Sequence, residues 1–153
     1  MVILPHLLIG AAIGFKIHNP FAILVLALTS HFIADRIPHW EYGSKKLEDF
    51  NKKDLFIFLL EVAADSLLGL TLLFWLLREQ SLWPYAVFGA FISALPDFPL
   101  LLLLFFPRAK WLISYQKLHS ANHVDQKGPG KNILSIASEL AVAIVAILII
   151  GLK

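Results

Sequence analysis

The chain has 153 residues, of which 58% are hydrophobic and only 16% charged, with a mean hydropathy of +0.74. Soluble domains average about 25% charged residues and under half apolar ones, so the composition excludes an ordinary soluble globule and a disordered chain. The absence of cysteine excludes a disulfide framework and thiolate metal sites, and a net charge of +2 without a basic, aromatic-interleaved stripe excludes a nucleic-acid binder. The natural solvent is lipid, and the expected fold is a single all-α transmembrane domain over 1–153, a polytopic helical bundle in the bilayer.

In chain order, five apolar helical segments can be drawn, at about 3–15, 20–36, 55–77, 82–106 and 132–152. The opening Met-Val-Ile-Leu-Pro-His lacks the basic start of a secretory signal and is read as retained. The first segment is short for a full crossing at about 1.5 Å per residue, and Asn19-Pro20 predicts a tight hairpin to the second. Residues 37–54 form a hydrophilic loop in which Asp54 is placed as the N-cap of the third helix. Pro96 and Pro99 interrupt the fourth segment. A short amphipathic helix over 110–124 follows, seated at the interface by Trp111 and Tyr115. Gly10-Ala11-Ala12-Ile13-Gly14 supplies a small-residue face for helix packing.

If all five segments cross, the loops at 37–54 and 107–131 share one side with the N-terminus. That side carries ten of the thirteen basic residues, which makes it cytoplasmic by the positive-inside bias. The same arrangement puts His6, His31, Asp35, Glu61, Asp65, Asp97 and Glu139 in the cytoplasmic half, roughly 5–15 Å below the surface. An uncompensated ionised side chain in a span costs at least about 2.5–3.5 kcal/mol. Collected carboxylates therefore require protons, histidines, a snorkelling Arg36 or a metal ion.

Spacing favours the metal. His31/Asp35, Glu61/Asp65 and His119/His123 each place two donor-type groups four residues apart, on one helical face. Imidazole nitrogens and carboxylate oxygens in such pairs are donors for zinc or another first-row divalent ion, manganese and iron included. The candidate metal ligands are His6, His31, Asp35, Asp65, Asp97, His119 and His123. Simpler roles compete elsewhere: His18 is a solvated loop residue, His39 and Trp40 suit an interfacial belt, and Glu139 suits a helix–helix hydrogen bond.

Pro5-His6 with Gly10, then Ser30-His31-Phe32-Ile33-Ala34-Asp35-Arg36-Ile37-Pro38-His39-Trp40, Leu95-Pro96-Asp97 and His119-x-x-x-His123, together resemble the small inner-membrane proteins classed as membrane-bound metal-dependent hydrolases. That group is distantly similar to zinc-dependent phospholipase C. Phe98-Pro99 after Asp97, where such hydrolases carry an acidic doublet, departs from the pattern, as does Leu118-His119-Ser120-Ala121-Asn122-His123 in place of a Thr-His-Ser motif. The resemblance implies a prokaryotic inner-membrane location and hydrolysis of a phosphoester or other ester in a lipid-like substrate at the cytoplasmic interface. Glu61, one turn from Asp65, is the expected general base. The competing expectations are a divalent-cation or proton transporter, a di-iron enzyme, and a non-catalytic protein with a structural metal.

Overall fold

Small residues bring two helix backbones into direct contact. In the computed structural model, which describes residues 1–42, 51–123 and 131–152, helix α1 (Ile3–Lys16) packs most extensively on α4 (Trp83–Ala94). A Cβ at Gly10 would collide with the Gly89 carbonyl, and one at Gly14 with the Tyr85 carbonyl. The two backbones touch there. With no hydrophobic driving force between helices in lipid, such close approach is how van der Waals contact holds them. The packing face expected at 10–14 is borne out.

Helix α2 (Pro20–Ala34) returns from α1 as predicted, with Asn19 accepting a hydrogen bond from the Ala22 N–H at 3.1 Å and Pro20 in the first turn, where its missing N–H costs nothing. The long α3 (Lys52–Leu77) is capped by Asn51 and not by Asp54: the Asn51 side chain accepts from the Lys53 and Asp54 N–H groups, and Asp54 answers from the third position of a capping box. Helix α4 continues through one 3₁₀ turn, Leu95–Asp97, into α5 (Phe98–Phe105). Pro96, lacking an N–H, sits in that turn. Helix α6 (Lys110–Ser120) folds back on α5, tied by the Tyr115 hydroxyl donating to the Pro96 carbonyl at 2.6 Å, and α7 (Lys131–Gly151) packs on α1.

The described residues contain no strand, so the all-α reading stands. Three runs are long and apolar enough to cross a membrane: Lys52–Leu77, Trp83–Phe105 and Ile133–Gly151. The other two expected segments, α1 and α2, are apolar but have only 14 and 15 residues. At 1.5 Å per residue they reach about 21–23 Å, short of a hydrocarbon core of about 30 Å. Large apolar side chains cover the outside, among them Leu67, Phe74 and Trp75 on α3 and Leu140, Ile144 and Leu148 on α7. Water would not tolerate so continuous an apolar surface; lipid does. Inside, Leu8, Ala11, Ala86, Ala90 and Ile150 form the core.

Candidate metal centre

The last turn of α2 is the foundation. His31 and Asp35 are one turn apart and fully buried, with His31 Nε2 at 3.1 Å from Asp35 Oδ2. His31 Nδ1 is 2.8 Å from the Ser93 carbonyl on α4. A carbonyl only accepts, so Nδ1 carries the hydrogen and a neutral ring presents its Nε2 lone pair inward. The α1–α4 contact places that carbonyl, since Ser93 lies against Gly10. On α1, the buried His6 stacks on His31 with ring centroids 4.1 Å apart, and its Nε2 lies 3.2 Å from Asp35 Oδ1. The Met1 amino nitrogen is 2.5 Å from the same oxygen.

The α5–α6 hairpin closes the group. His119 Nε2 comes within 3.1 Å of His31 Nε2, 3.3 Å of Asp97 Oδ1 and 3.6 Å of Asp35 Oδ2, and His31 Nε2 is 3.8 Å from Asp97 Oδ1. Donors bound to one zinc ion at about 2.0–2.1 Å are separated by about 2.9 Å in octahedral and 3.4 Å in tetrahedral geometry. The shorter distances here match such edges, and the longer two exceed them by a few tenths of an ångström. Hydrogen bonding alone does not account for the cluster. His119 Nε2 carries at most one hydrogen, yet it faces three acceptors. Asp35 Oδ2 and Asp97 Oδ2 are buried without a hydrogen bond among the described residues, and a buried carboxylate oxygen in that condition is costly. No Lys or Arg among the described residues pairs with either acid. Arg36, considered as the compensating charge, instead donates from Nε to Asn122 Oδ1 at 3.1 Å. The donor set fits a first-row divalent cation, and the buried His/Asp clusters can hold one.

Above this group lies a second layer from the segment after α2. His39, expected in an interfacial belt, is instead buried, and its Nδ1 meets the Ile37 carbonyl at 2.7 Å. Its Nε2 is 3.2 Å from His123 Nδ1, which in turn is 2.9 Å from Glu41 Oε1. The other nitrogen of His123 points inward, 3.3 Å from Asp35 Oδ2 and 3.2 Å from His119 Nδ1. Burial pushes the His123 pKa down, but the Asp35 and Glu41 carboxylates beside it prevail and raise it to about 9. The imidazoles of His123 and His39 beside it hold the Glu41 carboxyl well below the usual carboxylate range.

Three further carboxylates have other surroundings. Asp65, expected as a ligand, accepts from the Leu4 N–H at 2.9 Å and the Tyr42 hydroxyl at 2.6 Å, while Tyr42 oxygen accepts from the Ile3 N–H at 2.9 Å. The first N–H groups of α1 have no intrahelical acceptor, and Asp65 and Tyr42 supply one from outside. Glu139 does similar work between elements, accepting from the Val2 N–H at 3.4 Å and the Trp40 N–H at 3.2 Å, in line with the hydrogen-bonding role expected for it. Glu61 is half-buried one turn from Asp65 and belongs to none of the three His/carboxylate groups that can share an ion: His6/His31/Asp97, His31/Asp35/His119 and Asp35/His39/His123.

Six of the seven expected ligands, His6, His31, Asp35, Asp97, His119 and His123, are thus brought together, and Asp65 is not. Sequence reading passed over His39 and Glu41. The signal available for His39 was its position four residues beyond Asp35, although Pro38 between them ends the helical register. Comparison with protein-family models, curated proteins and solved structures finds no match to this chain.

Proposed function

We propose that the protein is a membrane-embedded, metal-dependent hydrolase acting on a phosphoester or other ester of a lipid-like substrate. The observation that carries this reading is the convergence of His31, His119, Asp35 and Asp97 with two buried carboxylate oxygens left without hydrogen bonds. These four residues hold the ion, and His6 steadies Asp35 through its other oxygen. Zinc is the favoured metal, with manganese and iron compatible with the same donors. Bound there, the ion would lower the pKa of a coordinated water and polarise the ester oxygen. Glu61, nearer the start of α3 than Asp65, is the proposed proton acceptor. The resemblance of the sequence motifs to those of membrane-bound metal-dependent hydrolases supports the assignment, and the excess of basic residues in 37–54 and 107–131 supports a cytoplasm-facing site.

The main competing reading is a cation or proton transporter. Against it stands the apolar packing of Leu8, Ala11, Phe15, Leu73, Leu77 and Ile150, which offers no polar trail from the cluster to the end of the bundle where Lys16 meets the Leu152 carbonyl. The test is to measure metal in the detergent-purified chain and to assay it against phospholipids and aryl phosphate esters. Stoichiometric metal with metal-dependent turnover supports the reading. Bound metal with no turnover on a broad ester panel rejects it.

A further inference from the structure

We propose that His39 Nε2, His123 Nδ1 and Glu41 Oε1 form a second, outer divalent-cation position at the mouth of the centre. The three atoms make a closed triangle with edges of 3.2, 2.9 and 3.6 Å, again the separations of adjacent donors around a first-row ion, about 2.9–3.4 Å, with one edge slightly longer. The tautomers suit it. His39 Nδ1 gives its hydrogen to the Ile37 carbonyl, so a neutral His39 ring turns a lone pair into the triangle. In a neutral His123 whose hydrogen is on Nε2, the nitrogen that faces Asp35 Oδ2 at 3.3 Å, Nδ1 is a lone pair as well. With His123 in that form, two imidazole lone pairs and a carboxylate oxygen face one another, and a cation between them takes the place of the proton that His123 otherwise carries there.

His39 has the outer support that metal-bound histidines usually show, a backbone carbonyl, and His123 turns its other nitrogen toward the Asp35 carboxylate. The His39 side chain is 2% exposed and the Glu41 side chain 61% exposed, so the position has one closed wall and one open one. Two imidazoles and one carboxylate leave room for a water or a substrate oxygen, the arrangement of an exchangeable site and not of a closed structural one. The ligands favour zinc or a similar borderline divalent ion over magnesium or calcium. Asp35 joins the two positions, as a ligand of the inner ion and as the carboxylate that faces His123 Nε2 at 3.3 Å. The inference rests on the reading of the buried cluster as a metal centre, but not on the hydrolase reaction.

The test counts ions. The full chain in detergent, stripped with chelator, is titrated with Zn²⁺ and with Co²⁺ under equilibrium dialysis. The wild type is expected to take up two ions per chain in two phases, the weaker being lost first on dilution. Glu41→Gln and His39→Ala should each reduce the count from two to one, and His31→Ala should remove the tighter phase. Saturation of the wild type at one ion per chain overturns the proposal and leaves an imidazolium at His123 as the cation of the mouth, whether or not the variants fold. Two ions retained in both Glu41→Gln and His39→Ala also overturn it. Two ions bound with no ester cleaved would reject the hydrolase reading and leave the outer site standing.

Discussion

Asp97 Oδ1 lies 3.3 Å from His119 Nε2, and the contact exists because α6 turns back along α5 instead of lying flat away from it. Asp97 ends the 3₁₀ turn at Pro96, and the Tyr115 hydroxyl bonded to the Pro96 carbonyl sets the α6 register one turn before His119. Asp97→Asn should keep this geometry but remove an anionic donor, lowering affinity for the inner ion by more than the 10–100-fold typical of losing an outer-shell partner. Tyr115→Phe should loosen the same ion by about tenfold without touching it. Metal titrations of both variants, read beside helix content, check the pair; undiminished affinity in Asp97→Asn would remove it from the ligand set.

Asp35 ends one apolar helix and Asp65 lies within another, and the structure separates their roles. Asp35→Asn should abolish the tightly bound ion, as should His31→Ala. Asp65→Asn should retain metal, because an amide oxygen can still accept from Leu4 and Tyr42, with a stability loss on the order of 1–3 kcal/mol for the weakened acceptor. Metal analysis with thermal unfolding distinguishes the two outcomes. Equal metal loss in Asp35→Asn and Asp65→Asn would contradict the division of roles.

The glycine contact should be as sensitive as any ligand. Gly10→Val puts side-chain atoms into the Gly89 carbonyl and Ser93, so α1 and α4 must separate. Such overpacking typically costs about 1–3 kcal/mol. Because the Ser93 carbonyl orients His31, metal affinity should fall along with stability. Gly151→Ala, where nothing lies within 4 Å, is the matched control and should change neither.

Glu61 tests the chemistry apart from the metal. Glu61→Gln should leave metal content and unfolding temperature unchanged and reduce ester hydrolysis by about 10²-fold or more, the scale of a positioned general base. Unchanged turnover would take the proton acceptor away from α3. Metal loss as full as in Asp35→Asn would show instead that Glu61 works as a ligand.

Much of this was already present in the order of residues. Apolar runs of membrane length, the Asn19-Pro20 turn, the small face at 10–14 and the i, i+4 donor pairs are local properties, fixed by helical periodicity and backbone chemistry within a few residues. Periodicity could therefore place His31 beside Asp35 and His119 near His123, and alternating helix direction could place both pairs, His6 and Asp97 at one end of the bundle. It could not rank acids of equal depth. Asp65 and Asp97 look alike along the chain, and only packing directs Asp65 to the unsatisfied N–H groups of α1 and Asp97 to His119. Nor could it follow the chain past Pro38, where helical register ends and the path of His39, Glu41 and Tyr42 depends on hydrogen bonds to partners distant in sequence: Ser138 to the Pro38 carbonyl, Trp40 to Glu139, Tyr42 to Asp65. Position along an apolar helix is a one-dimensional coordinate that sequence determines well; which face of which helix meets another is decided by the sum of many weak contacts, and that sum exists only in the folded bundle.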